Sequence, residues 1–444
     1  MHAGQAGRTR RRLVALALTV PLLAACTSEG EPEPGPPTEA APARLTLGTY
    51  GLPEAEVTAL QTEVERLNED TTTRSVELTT SDTTLREAVT AGEALPDLFF
   101  ASNEDLAWLE AGDVIEPVDR AMVERNVDFG DDFSYDGVQA FTVNGRLTCM
   151  PFGMDPQVVV YNPDLVDFEA MDAEGLPTPS NGRWDLDRLR AAAEFASDPE
   201  AGTKGLYVAP TLDQIAPFVL SGGGSVFAEG EPPTSTALSD EAAVDALTRT
   251  LEVLRDPLIT LTPDELAQAD ALEWFTSGRL GMMLAPRSLV PELRGVEGLD
   301  FDVIFPPTLD DRATVGTATG ICMSAASEHQ EAAADTIVGL SSPEVVSAVA
   351  EAGYSVPALL EVAASDAFLQ PDQLPEDAGV WPNNLRWTYF LPAVQDRAAL
   401  DEAVAPYLDA LLNDAIVNSE SIAATTANLD EAARLALGGE AEED

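Results

Sequence analysis

Lysine occurs once in this chain, at Lys204, and histidine twice, at His2 and His329. Against 24 basic residues stand 77 acidic ones, for a formal net charge of −53. So large an acidic excess repels nucleic acid and anionic lipid headgroups, so no nucleic-acid partner is expected. It fits solubility in a salty or wall-rich exterior. His2 belongs to an N-terminal basic segment, which leaves the body one histidine, His329 in SAASEHQEAAADTIV, a stretch that reads as the polar start of a surface helix. One histidine leaves little room for a Ser-His-Asp triad or a multi-histidine metal site. HExxH, GxSxG and a GxxxxGK phosphate loop are absent as well, which argues against hydrolase, zinc-enzyme and NTPase chemistry together. No catalytic residue, metal or cofactor is expected. Cysteine is scarce too: apart from Cys26 there are Cys149 and Cys322, a candidate disulfide in an exported protein or two buried free thiols.

At the N-terminus, Arg8, Arg10, Arg11 and Arg12 precede the apolar run LVALALTVPLLAA (13–25), the layout of a secretory signal. Thirteen residues are too few to span the roughly 30 Å of a bilayer core as a helix. Leu23-Ala24-Ala25-Cys26 resembles the lipobox of bacterial lipoproteins. That resemblance implies cleavage after residue 25, acylation of Cys26, and a place in the cell envelope on the outer face of the cytoplasmic membrane. Each buried acyl methylene contributes about 0.8 kcal/mol, so several chains hold a protein on a membrane without a spanning helix. Residues 27–43 (TSEGEPEPGPPTEAAPA) carry five prolines and nothing aliphatic larger than alanine. Such a segment has no core to join and reads as a disordered, extended tether reaching roughly 50 Å at about 3.1 Å per residue.

The remaining chain is long enough for two lobes with separate cores. RLTLGTY (44–50) reads as a strand, and Val57, Leu60, Val64 and Leu67 follow at helical spacing. RSVELTT (74–80) alternates like a strand, a short helix ends near Gly92, and PDLFFAS (96–102) has the continuous apolarity of a buried strand. Strands alternating with helices predict an α/β lobe with a largely parallel sheet. Further along, PQVVVYN (156–162) and GRLGMMLA (278–285) read as strands, and 184–197, 239–255 and 328–351 as helical. With neither a repeat nor a second linker, the two lobes are expected to interweave.

Five blocks in order resemble the family 1 extracellular solute-binding proteins, the maltose-type carbohydrate receptors of ABC importers: LPDLFFASNEDLAWLEAGDVIEPVD (95–119), VNGRLTCMPFGMDPQVVVYNPDLV (143–166), WFTSGRLGMMLAPRSLVPEL (274–293), GTATGICMSAASEHQEAAADTIVGLSSPE (316–344) and EAGYSVPAL (351–359). The resemblance runs from residue 44 to about 410. It implies an α/β, type II-like periplasmic-binding-protein fold whose lobes are joined by hinge-crossing strands. Lobe 1 would take 44–151 plus 316–356, lobe 2 would take 152–315 plus 357–437, and 438–444 would remain as an acidic tail.

It also implies a monomeric, non-catalytic receptor that closes on a carbohydrate and hands it to ABC permease subunits. On this mapping Tyr50, Ser102, Glu104 and Asp155 fall at ligand-contacting positions, and Arg287 falls where relatives often carry an aromatic residue. Trp381 and Trp387 fall near a loop that supplies a stacking ring, and Cys149 and Cys322 lie on adjoining strands close enough to bond. The same fold binding a polyol, a glycerol phosphodiester or another polar solute is the alternative, supported by Arg287 and by SGGGS (221–225), a run that could cradle an anion with its N–H groups but reads more simply as a turn near the cleft. An extracytoplasmic glycosidase using two carboxylates is the remaining reading. Cys26→Ser is expected to release the protein to the medium with its ligand affinity unchanged; retention of the variant on membranes, assayed by fractionation, would overturn the lipid anchor.

Overall fold

The computed structural model describes residues 41–81, 83–180, 184–230, 232–413 and 419–438. The expected signal, Cys26, nearly all of the tether and residues 439–444 of the tail lie outside the described residues. From Pro42 onward the chain forms one unit.

Its first strand, β1 (Ala43–Tyr50), buries Leu45 and Leu47 and pairs in parallel with β2 (Arg74–Ser81) and β3 (Leu98–Ser102). Between β1 and β2, α1 (Glu54–Glu69) packs Leu60 and Val64 inward, the stripe that the helical spacing predicts. Leu98, Phe99, Phe100 and Ala101 of β3 are all buried, as expected of a strand covered on both faces.

The sheet continues through two long strands, β4 (Cys149–Tyr161) and β8 (Thr314–Ser324). Strand β8 is antiparallel to β3 on one side and to β4 on the other. Beyond β4 lie β6 (Leu280–Pro286), antiparallel to it, and β5 (Lys204–Tyr207), parallel to β6; the short β7 (Asp302–Ile304) also pairs with β4. The order across the sheet is therefore β2-β1-β3-β8-β4-β6-β5.

Two prolines would normally disqualify β4 as an interior strand, because proline has no N–H to give the ladder. Both stand opposite glycines: Pro156 faces Gly316 and Pro151 faces Gly320, where the register shifts between Thr319 and Gly320. A Cβ on Gly316 would lie 2.7 Å from the Pro156 Cα, so only glycine admits the approach. Two pairs along from Pro151, Cys149 faces Cys322 with their sulfurs 1.98 Å apart and bonded.

Side chains alternate across the sheet, and the alternation separates two apolar clusters. Val158 and Val160 of β4, with Met283 and Ala285 of β6, join a cluster that also holds Leu47, Phe99 and Leu60. Val159, Met282 and Leu284 point into the other, with Leu189 of α2 (Leu186–Ala196), Phe218 of α3 (Leu212–Ser221) and Leu247 of α4 (Glu241–Leu254). Leu400 and Leu408 of α7 (Arg397–Asn413) and Leu429 of α8 (Ser419–Ala436) close this second cluster. On the first side, α5 (Gln330–Leu340) and α6 (Pro343–Ala350) add Ile337 and Val345. His329 is the exposed residue that precedes α5.

The glycine run after α3 does turn the chain, with Gly222 and Gly223 in the turn itself, and it does so in close contact with α4. A Cβ on Gly222 would lie 2.5 Å from the Ala246 Cβ, and one on Gly224 would lie 2.8 Å from the Ala243 Cα. These glycines let the end of α3 pack tightly on α4. With Cys26 replaced by serine, the denatured chain is expected to show no free thiol before reduction and two after it. Cys149→Ala/Cys322→Ala should lower stability in urea by about 2–4 kcal/mol, since the bridge closes a long loop.

Candidate ligand-binding site

The end of β3 leads into a turn, Asn103–Asp105, whose geometry is set by its own side chains. The Ser102 hydroxyl accepts the Glu104 N–H at 3.2 Å, and the Asp105 carboxylate accepts the Ser102 N–H at 3.2 Å. Asn103, buried, accepts the Ala318 N–H of β8 at 2.8 Å. Ser102 thus caps the turn, and Glu104 is the side chain it presents to the rest of the molecule.

Glu104 meets Arg397, the first residue of α7. The Arg397 Nη1 lies 2.6 Å from the Glu104 carboxylate, Nη2 lies 2.7 Å from Asp213 in the first turn of α3, and Nε lies 2.9 Å from Asp401. One guanidinium therefore ties the β3 end, on the first core, to α3 and α7, on the second. Burial opposes the charge on Arg397, but Asp213 and Glu104 raise its pKa above the ordinary value. Burial raises Glu104, with Asp213 and Asp401 adding to it and Arg397 opposing. Beside this clasp runs a groove of about 380 Å³, lined by Glu110, Gln139, Asn144, Pro233 and Phe390 among others. Gln395 crosses nearby and donates to the Ala107 carbonyl at 2.9 Å.

A second charged group gathers around β4. Asp155, opposite Thr317 of β8, accepts the Ser288 N–H at 3.0 Å. Ser288 belongs to the turn Arg287–Leu289 that follows β6. Burial raises Asp155 to about 6, against hydrogen bonds from Ser288 and the charge of Arg287. Within reach of the Asp155 charge, Glu56 in the first turn of α1 is only 6% exposed. It accepts a 3.1 Å hydrogen bond from the Ser355 hydroxyl. Burial raises Glu56 to about 7; that hydrogen bond opposes the rise and the Asp155 charge adds to it.

Arg287 is wholly buried. Its guanidinium carbon sits 4.9 Å from the Trp381 ring centroid and 5.2 Å from that of Phe368. Nε, Nη1 and Nη2 all lack a hydrogen-bond partner. The Trp381 indole N–H donates to the Pro156 carbonyl at 3.2 Å, which fixes its ring against β4.

The expected residues therefore divide. Asp155, Arg287 and Trp381 come together around β4, and Glu104 joins the Arg397 clasp. Tyr50 ends β1, half-buried, with its hydroxyl raised first by burial and then by the charge of Glu93. Trp387 stands in another stack, between Arg386 at 4.0 Å and Arg312 at 4.7 Å, beside Phe305. Glu56, Asp213, Ser355, Arg397 and Asp401 escaped the sequence reading. The one available signal was scarcity: with 24 basic residues in the chain, each arginine inside the body merits a question.

Residues 64–376 match a family model described as bacterial extracellular solute-binding protein. The chain belongs to this family of bacterial extracellular solute-binding proteins. Among solved structures, the family fold recurs in an ABC substrate-binding protein of Listeria monocytogenes in complex with cycloalternan, 20% identical over 88% of this chain and 98% of that one, with a TM-score of 0.70. The GacH receptor of Streptomyces glaucescens, solved unliganded and with acarbose, is 18% identical over 90% of this chain and 100% of its own, with a TM-score of 0.68. A cyclo/maltodextrin-binding protein complexed with maltotetraose is 15% identical over 89% and 98%, with a TM-score of 0.71. Among the curated proteins no sequence matches. At these identities the solved structures establish the fold, a two-lobed one.

Glu56 and Asp155 make the stability of this solute-binding protein depend on pH in a definite direction. Both carboxyls have native pKa values, about 7 and about 6, above the ordinary 4.5 and 3.8, so between those limits the native state holds more protons than the unfolded chain. Their contribution should grow as pH falls from 7.5 towards 5. Glu56→Gln should stabilise the protein at pH 8 by roughly 2–3 kcal/mol and flatten this dependence in urea titrations; an unchanged pH profile would contradict the burial of Glu56.

Proposed function

We propose that the protein is an extracytoplasmic receptor, tethered at Cys26, that captures a carbohydrate between its two lobes and delivers it to an ABC permease. The observation that carries the reading is the gathering of Glu56 and Arg287 about Asp155, a residue of the strand that passes from one apolar cluster to the other, in a member of a solute-binding family. Sugars offer paired hydroxyls, which carboxylates accept and guanidinium groups donate to, and C–H faces that suit aromatic rings. The relatives named above hold cycloalternan, acarbose and maltotetraose, which supports the sugar class.

Closure would turn on β4 and β8, where a few backbone torsions suffice to swing one lobe on the other. Arg397 supports that motion: Glu104 and Asp213 grip it from the two sides, so opening must break at least one of these ion pairs. The lipobox-like Leu23–Cys26 and the proline-rich tether support placement within reach of a membrane permease. Lobe 1 as 44–151 plus 316–356 and lobe 2 as 152–315 plus 357–437 remain the proposed division.

The test is a panel of neutral and charged mono- and oligosaccharides scored by thermal shift and calorimetry. At least one member is expected to bind without being turned over, and Asp155→Asn should weaken it by roughly tenfold, the loss expected of one charge-assisted hydrogen bond. Absence of any response across the panel would remove the sugar assignment, and sustained hydrolysis of a glycoside would replace receptor with enzyme.

A further inference from the structure

Arg287 is buried without being paired. Its neighbour Arg294 donates to the Leu374 carbonyl and to Gln370, whereas none of the three Arg287 nitrogens has a partner. The carboxylate best placed to help, Asp155, accepts the Ser288 N–H through Oδ1 and the Arg287 backbone N–H, and it acts on the Arg287 guanidinium by charge alone. Burial and the like charge of Arg294 lower the guanidinium to about 9, so it stays charged at neutral pH. Trp381 and Phe368 contribute ring faces, which attract a cation but cannot accept its in-plane N–H donors. Gly353, at φ +85°, brings bare backbone to the same place: a Cβ there would lie 3.6 Å from Arg287 Nη2.

A charged fork with all its donors free, held by aromatic rings beside the hinge strand, has the shape complementarity of a carboxylate or phosphate, each of which accepts two parallel N–H bonds. Building on the carbohydrate reading, we propose that the ligand is an acidic sugar, bearing a carboxylate or a phosphate, whose anionic group is received by Arg287 while Asp155 and Glu56 take its hydroxyls. The lobes open to admit it and close to leave the anion and guanidinium out of water. The acidic surface makes the site selective: an anion repelled everywhere else on the molecule finds one buried positive fork.

Matched probes test this on the purified full chain: glucose against glucuronate and against glucose 6-phosphate, and maltotriose against an oligouronide of the same length, by calorimetry at low salt and pH 7.5. An acidic member is expected to bind on the order of tenfold to hundredfold more tightly than its neutral partner, and the uronate and phosphate arms tell which anion is preferred. Arg287→Gln should remove that preference and Arg287→Lys should restore part of it. Arg287→Met, close in volume and uncharged, should hold or raise the melting temperature of the ligand-free protein while abolishing the response to the acidic probe.

Equal or tighter binding of neutral probes would overturn the acidic-sugar inference and leave the carbohydrate reading standing; no response to any sugar would overturn both. A fall in melting temperature in Arg287→Met, or failure of both the Gln and Met variants to fold, would make Arg287 a structural residue and overturn the inference as well.

Discussion

The pairing of β4 with β8 is the contact on which the other parts depend. These two strands carry the polypeptide from one apolar cluster to the other and back, and they run antiparallel over most of their shared length. Two prolines in β4 are accommodated because glycines stand opposite them in β8, and the Cys149–Cys322 bridge lies in the same ladder. Polar side chains then attach to this ladder at fixed heights: Asp155 is one of its residues, Trp381 bonds to Pro156, and Ser355 packs against Gly153. A site built this way is oriented by strands rather than by loops, which holds side chains more firmly.

Around that ladder the molecule distributes a small supply of positive charge unequally. Arg397 is enclosed by three carboxylates and is held there by ordinary ion pairing. Arg287 has no such ion pair and draws support only from the more distant charge of Asp155. The difference follows from depth: Arg397 remains part-exposed at a helix start, where solvent softens the cost of three acids meeting, whereas Arg287 is sealed between rings where every unmatched charge is expensive. The raised carboxyls of Glu56 and Asp155 belong to the same balance, since partial protonation near neutrality lessens the repulsion that two buried acids would otherwise exert.

Much of the fold was legible in the sequence because it rests on periodicity. The continuous apolarity of Leu98–Ala101, the stripe through Leu60 and Val64, and the apolar run of valines in β4 each correspond to buried positions in the structure. The order of family-like blocks carried the topology further than periodicity alone. What stayed hidden depended on pairs remote in sequence. Pro156 reads as the start of a strand but not as the partner of Gly316, and SGGGS reads as a turn but not as one pressed against Ala243 and Ala246. That Ser102 caps its own turn was not legible either, because its serine hydroxyl reads equally as a polar loop group. Glu56 looks like any acid favouring a helix N-terminus, and Arg397 like any arginine on an acidic helix, until the chain brings their partners to them.

The alternation of Val158, Val159 and Val160 between two clusters also bears on how this chain can change in length. Strand side chains repeat every second residue, so adding or removing one residue between Cys149 and Val158 would send Val159 to the first cluster and its neighbours to the second. The bridge at Cys149 pins one end of this stretch and the pairing with β6 pins the other, leaving the ladder no free end along which to slide. Substitution of one aliphatic residue for another in this segment is therefore a mild event, while a three-nucleotide insertion or deletion is a severe one. The spacing between the cysteine and the valines is constrained more tightly than the identity of the residues that fill it.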